Sequence, residues 1–460
     1  MLSIGKVSWG GEHYYIDAVL SLERDMRAMA GFEPELGEPP GVWVGRGSNS
    51  IGLGGIVYPE TLTALLAGKD PFSQQGLGRK DDRIKVAAFD LTFNAPKSVS
   101  ILYGLLEPRL GAEVRNSHEA AVRGALGYLE RNAIGVRRTI EGTRMTLPTS
   151  GAPAAGFLHR TSRALDPHLH THVVMANLAR GEDGSWSGID GRGLYYHAKT
   201  ASFLYQAELR RQMSTSLGVE WGTVRNGWAD VLGVSREVVR GFSTRLLQIE
   251  ADLERLGMSS PHAAHIAALK TRQPKEIHCA MSDLRRQWQK RALELGLGPL
   301  QLEKVLDRKV LGIEHGHLAQ GASNRLAGGW GEVALSIHDK KAFCLDVLVE
   351  LAKKELVTRR EVIQACCQAL SGGGSARAIE SLSEEVMHSG IRRSLGVDIR
   401  EERFRVVDMQ LPDKMYSLER EVGRWLGADR SRVRVDPVLD GHQLSKEMPG
   451  RSVDLGINLS

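Results

Sequence analysis

The chain has 460 residues, 42% of them hydrophobic and 25% charged, enough apolar side chains to bury ordinary cores in two or three domains. Lysine and arginine number 60 against 55 acidic residues, and this net charge of +5 permits nucleic-acid binding without demonstrating it. Its 4 cysteines have no paired spacing, no apolar run approaches roughly twenty residues, and the amino terminus lacks a secretory pattern. A disulfide scaffold, a membrane span and export are therefore not expected, and a cytoplasmic protein is.

In chain order, LSIGKVSW reads as a strand, two glycines turn the chain, and Tyr14 and Tyr15 follow. Glycine-rich turns such as GRGSNSIGLGG break the next stretch. VAAFDLTF (86–93) alternates as a strand does and leads through Asn94 and Pro96 into the helix start SVSILYGLL. AEVRNSHEAAVRGALGYLERNA (112–133) has helical apolar spacing, whereas GVRRTIEG (135–142), AAGFLHRT (154–161) and LHTHVVMANLA (169–179) read as strands. From about residue 195 the pattern turns helical: YYHAKTASFLYQAELRRQMSTSLG is amphipathic and ends at Gly218, and helices continue through LRRQWQKRALELGLG. Helical stretches around 340–370 and 376–388 flank SGGGS (371–375), whose composition predicts a flexible joint. The expected class is α+β, followed by a mainly helical carboxy-terminal region. No repeat and no Walker-type G-x-x-x-x-G-K-[ST] loop occurs, so no nucleotide cofactor is expected.

The densest chemistry lies between His159 and His172. On a strand His170 and His172 share a face, and Asp166-Pro167 supplies the turn that folds the preceding strand back. The hairpin then sets His159 opposite that pair, at the ~5–8 Å of facing and diagonal partners, so that three imidazoles converge on one ion. A single histidine or an H-x-H pair is usually an ordinary surface or core residue; three at hairpin spacing favour a metal. By alternation His168 falls on the same face and stays open as the third ligand. Imidazoles suit zinc, nickel, copper or manganese, and the identity of the divalent ion, magnesium included, is left open. Asp90 shares its strand face with Thr92 and Asn94, opposite Phe89, Leu91 and Phe93. It either orients a ligating histidine, takes the proton of a nucleophilic hydroxyl, or is a structural carboxylate.

Alone, Tyr14 and Tyr15 read as packing residues. Beside a three-histidine ion they acquire a reaction. A phenol with a pKa near 10 needs a base or cation to act as a nucleophile, and an ion on the non-bridging phosphate oxygens makes phosphorus more electrophilic. Attack leaves a phosphotyrosine on the 5′ side and a free 3′ hydroxyl, and the retained ester energy lets the step run backward.

The stretches DLTFNAPKSVS (90–100) and FLHRTSRALDPHLHTHVVMANL (157–178), the early YY and LYYHAKTASFLYQAELR (194–210) closely resemble the MobF class of conjugative relaxases. These are HUH endonucleases that nick plasmid transfer origins, and the resemblance covers about residues 1–300. It implies a five-stranded antiparallel sheet with flanking helices. It also implies Tyr14 as the catalytic tyrosine with Tyr15 beside it, Asp90 as the neighbouring aspartate, and His159, His170 and His172 as metal ligands, in preference to His168. Lys97, Arg160 and Arg163 then stand as phosphate contacts of a DNA strand.

The implied function is metal-dependent, strand-specific nicking and rejoining at a plasmid or integrative-element transfer origin, which starts conjugative transfer. Expected partners are single-stranded origin DNA with an adjacent hairpin, accessory relaxosome proteins, a coupling protein of a type IV secretion system and a separate helicase. Two features depart from the better-known relatives. They carry a second tyrosine pair, whereas IDAVLSLERDMRAMAG follows here and no tyrosine occurs before Tyr58. Residues 301–460 resemble the approach to a fused helicase, so a relaxase of residues 1–300 is expected, with its motor truncated or supplied separately. Rival readings are a catalytically silent DNA-binding remnant and a three-histidine metallohydrolase that uses water.

Overall fold

Strand alternation sorts the first half of the chain onto two faces of one sheet. The computed structural model describes residues 1–8, 38–78, 86–140, 142–255, 280–306, 343–344, 346–348, 351, 357–388 and 399–400. Tyr14, Tyr15 and Cys279 lie outside the described residues. The elements run β1 (Leu2–Ser8), β2 (Val42–Val44), α1 (Gly45–Asn49), α2 (Pro59–Leu66), β3 (Val86–Asn94), α3 (Lys97–Leu105), α4 (Pro108–Asn132), β4 (Gly135–Ile140) and β5 (Thr143–Pro148). There follow β6 (Ala154–Thr161), β7 (Pro167–Ala176), β8 (Ala179–Arg180), β9 (Trp186–Ser187), α5 (Arg192–Leu217), α6 (Arg236–Gly241), α7 (Thr244–Arg255), α8 (Met281–Glu294) and α9 (Pro299–Val305). Last come β10 (Val357–Thr358), α10 (Arg359–Ala369) and α11 (Ala376–His388), with β11 (Ile399–Arg400) paired to β10. No described helix is long and apolar enough to cross a membrane.

The main sheet has five strands in the order β1-β3-β7-β6-β2, every neighbour antiparallel, as the family resemblance implies. Because successive side chains alternate, Phe89, Leu91 and Phe93 of β3 join Val173, Met175 and Leu158 in the core behind the sheet. Helices α3, α4 and α5 cover that face, and buried Val114, Ala121, Ala125 and Leu129 form the helical stripe α4 presents to it. Ala88, Val174, Ala176, Ala155 and Phe157 point to the front, where Trp43, Leu62, Leu65 and Leu66 close a smaller core. That second core lies toward one end of the strands and the histidines toward the other, on the same face.

Two glycine-rich segments differ from expectation for the same reason, a long-range partner. GRGSN folds as the short helix α1 because the buried Glu130 carboxylate accepts the Gly47 amide at 3.0 Å and the Arg46 Nε–H at 3.5 Å. SGGGS is no loose joint. Gly373 and Gly374 are buried against α5, and the Gly374 amide donates to the Ala207 carbonyl at 3.2 Å. Packing thereby crosses residue 300, since Val362, Ile363, Cys366 and Ile379 belong to the core behind the sheet. Arg210, fully buried on α5, ties the two parts together by donating to the carbonyls of Gly227 (2.9 Å) and Cys367 (2.7 Å). Gly373→Ala is the sharp test of this joint. Its φ of +79° suits glycine, and a Cβ would sit 1.9 Å from the Ala207 oxygen. Urea unfolding is expected to show a loss of about 3 kcal/mol, against a few tenths for a joint without packing.

Candidate metal centre

Register decides which side chains meet on the front face. His159 lies directly opposite His170 across β6 and β7, with His172 one step along opposite Phe157. On the other side His172 faces Thr92 and His170 faces Asn94 of β3, so all three imidazoles and Asp90 share the face. The rings sit 5.1 Å (His159 to His170), 5.0 Å (His159 to His172) and 5.3 Å (His170 to His172) apart between centroids. One ring nitrogen from each lies within 4.8 Å of the others, a donor set that fits a divalent ion with room for further ligands.

Two of the three rings are held from behind. The His172 Nδ1 lies 2.9 and 3.0 Å from the two Asp90 carboxylate oxygens, and Thr92 Oγ1 donates to Asp90 Oδ1 at 3.2 Å. His170 Nδ1 meets the His168 carbonyl at 3.0 Å. Carboxylates and carbonyls only accept, so both Nδ1 atoms carry hydrogen and the lone pair of each ring is on Nε2. His168 stays out of the group. It keeps the His170 side of β7, with Leu169 between them in the core behind the sheet, but lies at the turn end of the strand, where β7 carries one more residue than β6 between His159 and Thr161. Its ring stacks beside that of His170, 4.4 Å between centroids.

Residues 12–295 match the TrwC relaxase family. The chain belongs to that family. Two curated relatives are the multifunctional conjugation proteins TraI of Escherichia coli (34% identical over 247 residues) and of its strain K12 (30% over 292). These matches cover 51% and 60% of this chain but only 13% and 15% of the relatives' length. Among solved structures, the conjugative relaxase TrwC in complex with oriT DNA, metal-free, superposes with a TM-score of 0.55 at 27% identity, covering 65% of this chain and 99% of that one. A metal-bound TrwC complex with oriT DNA gives the same score and identity over 64% of this chain and 99% of that one. TrwC with a 27-mer comprising the recognition hairpin and the cleavage site scores 0.55 at 26% identity, with 64% and 99% covered.

In this TrwC-family chain the cations expected on phosphate are placed differently from one another. Lys97 is nine-tenths buried and its ammonium donates to the Pro167 carbonyl at 3.1 Å. Burial pulls its pKa down to about 8, against the opposing pull of Asp166. Arg160 is 1% exposed, and the Glu38 carboxylate accepts both its Nε–H (3.2 Å) and its backbone amide (3.1 Å). Neither is therefore presented as a surface cation, whereas Arg163 lies half-buried in the turn between β6 and β7. Glu38 carries no signal in the sequence, because it stands 122 positions from Arg160.

Behind the site runs a polar contact that the sequence reading missed. His118, fully buried on α4, is 2.8 Å from the Oγ1 of Thr171, which lies between His170 and His172, and 2.7 Å from the Tyr205 hydroxyl. His197 likewise meets the Tyr128 hydroxyl at 2.8 Å. Burial pushes both histidines down to about 3. The unfolded chain takes up protons on these rings below about pH 6.5, but the folded one does not until about 3. Stability is thus expected to fall as pH drops through that window, by up to ~2.7 kcal/mol per unit for two such groups. Urea midpoints at pH 7 and 5 check this, with a His118→Gln, His197→Gln double variant showing the shallower dependence.

Proposed function

We propose that this chain nicks and rejoins one strand of a transfer origin through a covalent phosphotyrosine on Tyr14, beside a divalent ion held by His159, His170 and His172. The observation that carries the proposal is the convergence of three ring nitrogens within 4.8 Å on the front face, with Asp90 fixing one ring from behind. TraI relatives are conjugation proteins, and TrwC neighbours were solved on oriT DNA with and without metal, which supports the same substrate here.

When bound, the ion draws charge from the non-bridging oxygens of the scissile phosphate. Everything else falls to the protein. Asp90 and the His168 carbonyl hold two imidazoles in the tautomer that binds metal. The Tyr14 oxygen forms a bond to phosphorus as the bond to the 3′ oxygen breaks; one proton leaves the phenol and one joins the 3′ oxygen. One phosphodiester replaces another, so the reverse step reseals the strand. Arg163, in the turn after β6, is the cation we assign to the DNA backbone. The origin's adjacent hairpin, accessory relaxosome proteins, a coupling protein and a separate helicase complete the assembly we propose, with residues 1–300 as the nicking unit.

The test is an origin oligonucleotide labelled at its 3′ end, tiled across the transfer origin of the protein's own element and incubated with and without a divalent ion. A denaturation-resistant adduct that a chelator prevents supports transesterification. Binding without an adduct points to a silent DNA-binding remnant, and cleavage without an adduct to water as the nucleophile; either outcome overturns the proposal.

A further inference from the structure

The tip of the β6–β7 hairpin is held by more side chains than a turn requires. Asp166 is 1% exposed, and its carboxylate accepts the Thr244 amide (2.7 Å), the Thr244 hydroxyl (3.1 Å) and Arg291 Nη1 (2.8 Å). Arg291 Nη2 also donates to Thr244 Oγ1 at 3.0 Å, which closes the triangle. On either side of Asp166 the backbone is caught as well. Trp288 Nε1 donates to the Leu165 carbonyl at 2.9 Å, and Lys97 Nζ to the Pro167 carbonyl at 3.1 Å. Leu165 itself is held at φ +58°, a left-handed conformation that a branched apolar residue keeps only where its surroundings impose it. Three consecutive residues of the turn are thus gripped from α3, α7 and α8.

The consequence reaches the metal centre through register. Thr161 pairs with Pro167 and His159 with His170, so the extra residue of β7 falls between the gripped tip and His170. A strand that slips by one residue turns every side chain to the opposite face. Were the tip to relax, the extra residue could be absorbed elsewhere, and His170 and His172 would lose their common phase with His159.

We propose that Asp166 is a positioning residue for the three-histidine site: through Thr244 and Arg291 it fixes the hairpin tip, and with it the register that makes the imidazoles converge. The inference rests on the metal reading above. It makes Thr244 of α7 and Arg291 of α8 part of the site's support although neither belongs to the three-histidine group.

Copper(II) is the probe, read by affinity and by its electron paramagnetic resonance spectrum on the full chain, with urea unfolding alongside. Asp166→Asn keeps the side-chain shape but not the charge. It is expected to weaken copper binding about tenfold and to change the hyperfine pattern. Adding Arg291→Met removes the orphaned cation; it should return the urea midpoint toward wild type without restoring the spectrum. Thr244→Ala, a milder cut at the same carboxylate, carries the same expectation at smaller size should Asp166→Asn fail to fold. Wild-type affinity and spectrum in folded variants, or a spectrum that recovers together with stability, overturns the positioning role. A wild-type chain that binds no copper overturns the metal reading, and this inference with it.

Discussion

Tyr14→Phe is expected to abolish the covalent adduct, a loss of at least ~10⁴-fold in strand cleavage, while binding of the origin strand stays within about threefold. The asymmetry follows from what the hydroxyl does. It is the atom that bonds to phosphorus, whereas affinity for DNA comes mostly from phosphate contacts spread along the strand. Chain length allows the assignment. Ser3 of β1 pairs with Thr92, which pairs with His172, so the β1 position nearest the site in register is Ser3. From there to Ser8 is about 17 Å along the strand, and from β1 to β7 about 10 Å across it, which puts His172 about 20 Å from Ser8. The six residues from Ser8 to Tyr14 span about 20 Å when extended, before the length of the ring is added. A much earlier tyrosine would fall short. Tyr15 has one residue more of reach, so Tyr15→Phe is the informative companion, expected to keep the adduct within roughly tenfold of wild type. An adduct that survives Tyr14→Phe but not Tyr15→Phe moves the nucleophile by one position. An adduct that survives both removes tyrosine from the mechanism.

What could be read from the sequence here was whatever short-range periodicity controls. Alternation in FDLTF put Asp90 and Thr92 on one face and three apolar residues on the other, and the two cores divide along that line. The same periodicity brought His159 opposite His170, because both strands stay regular up to that pair. It gave no sign of the irregularity that follows toward the turn. The register shift between His159 and Thr161 adjoins a turn whose partners Thr244, Trp288 and Arg291 lie 78, 123 and 125 positions away from it. Lys97 and Arg160 were read by charge, and charge says nothing about direction; their acceptors, Pro167 and Glu38, come from other parts of the chain. SGGGS was read by composition, yet its glycines serve close approach to the backbone of α5 rather than freedom. In each case the missing information was tertiary.

The second large effect is expected at the imidazoles. His159→Ala should reduce divalent-ion affinity, measured by titration calorimetry, by more than the ~10–100-fold typical of losing an outer partner, because it deletes a donor. Asp90→Asn should fall within that range, and the reason separates it from a charge effect. An ionised carboxylate offers only acceptors, so at 2.9 Å it forces the hydrogen of His172 onto Nδ1. Asparagine presents either an oxygen or an NH₂ group to the same atom. In the second orientation the hydrogen moves to Nε2, and the nitrogen needed for the ion no longer has its lone pair. His170 supplies the control within the same molecule, since its Nδ1 is directed by the His168 backbone carbonyl and no side-chain substitution at residue 90 can flip it. The expected Asp90→Asn protein therefore keeps two competent imidazoles and binds the ion weakly, whereas His159→Ala keeps two and has lost the third outright. Equal affinities for Asp90→Asn and wild type would mean that Asp90 does not set the His172 tautomer, and a His159→Ala protein that binds as wild type does would remove His159 from the ligand set.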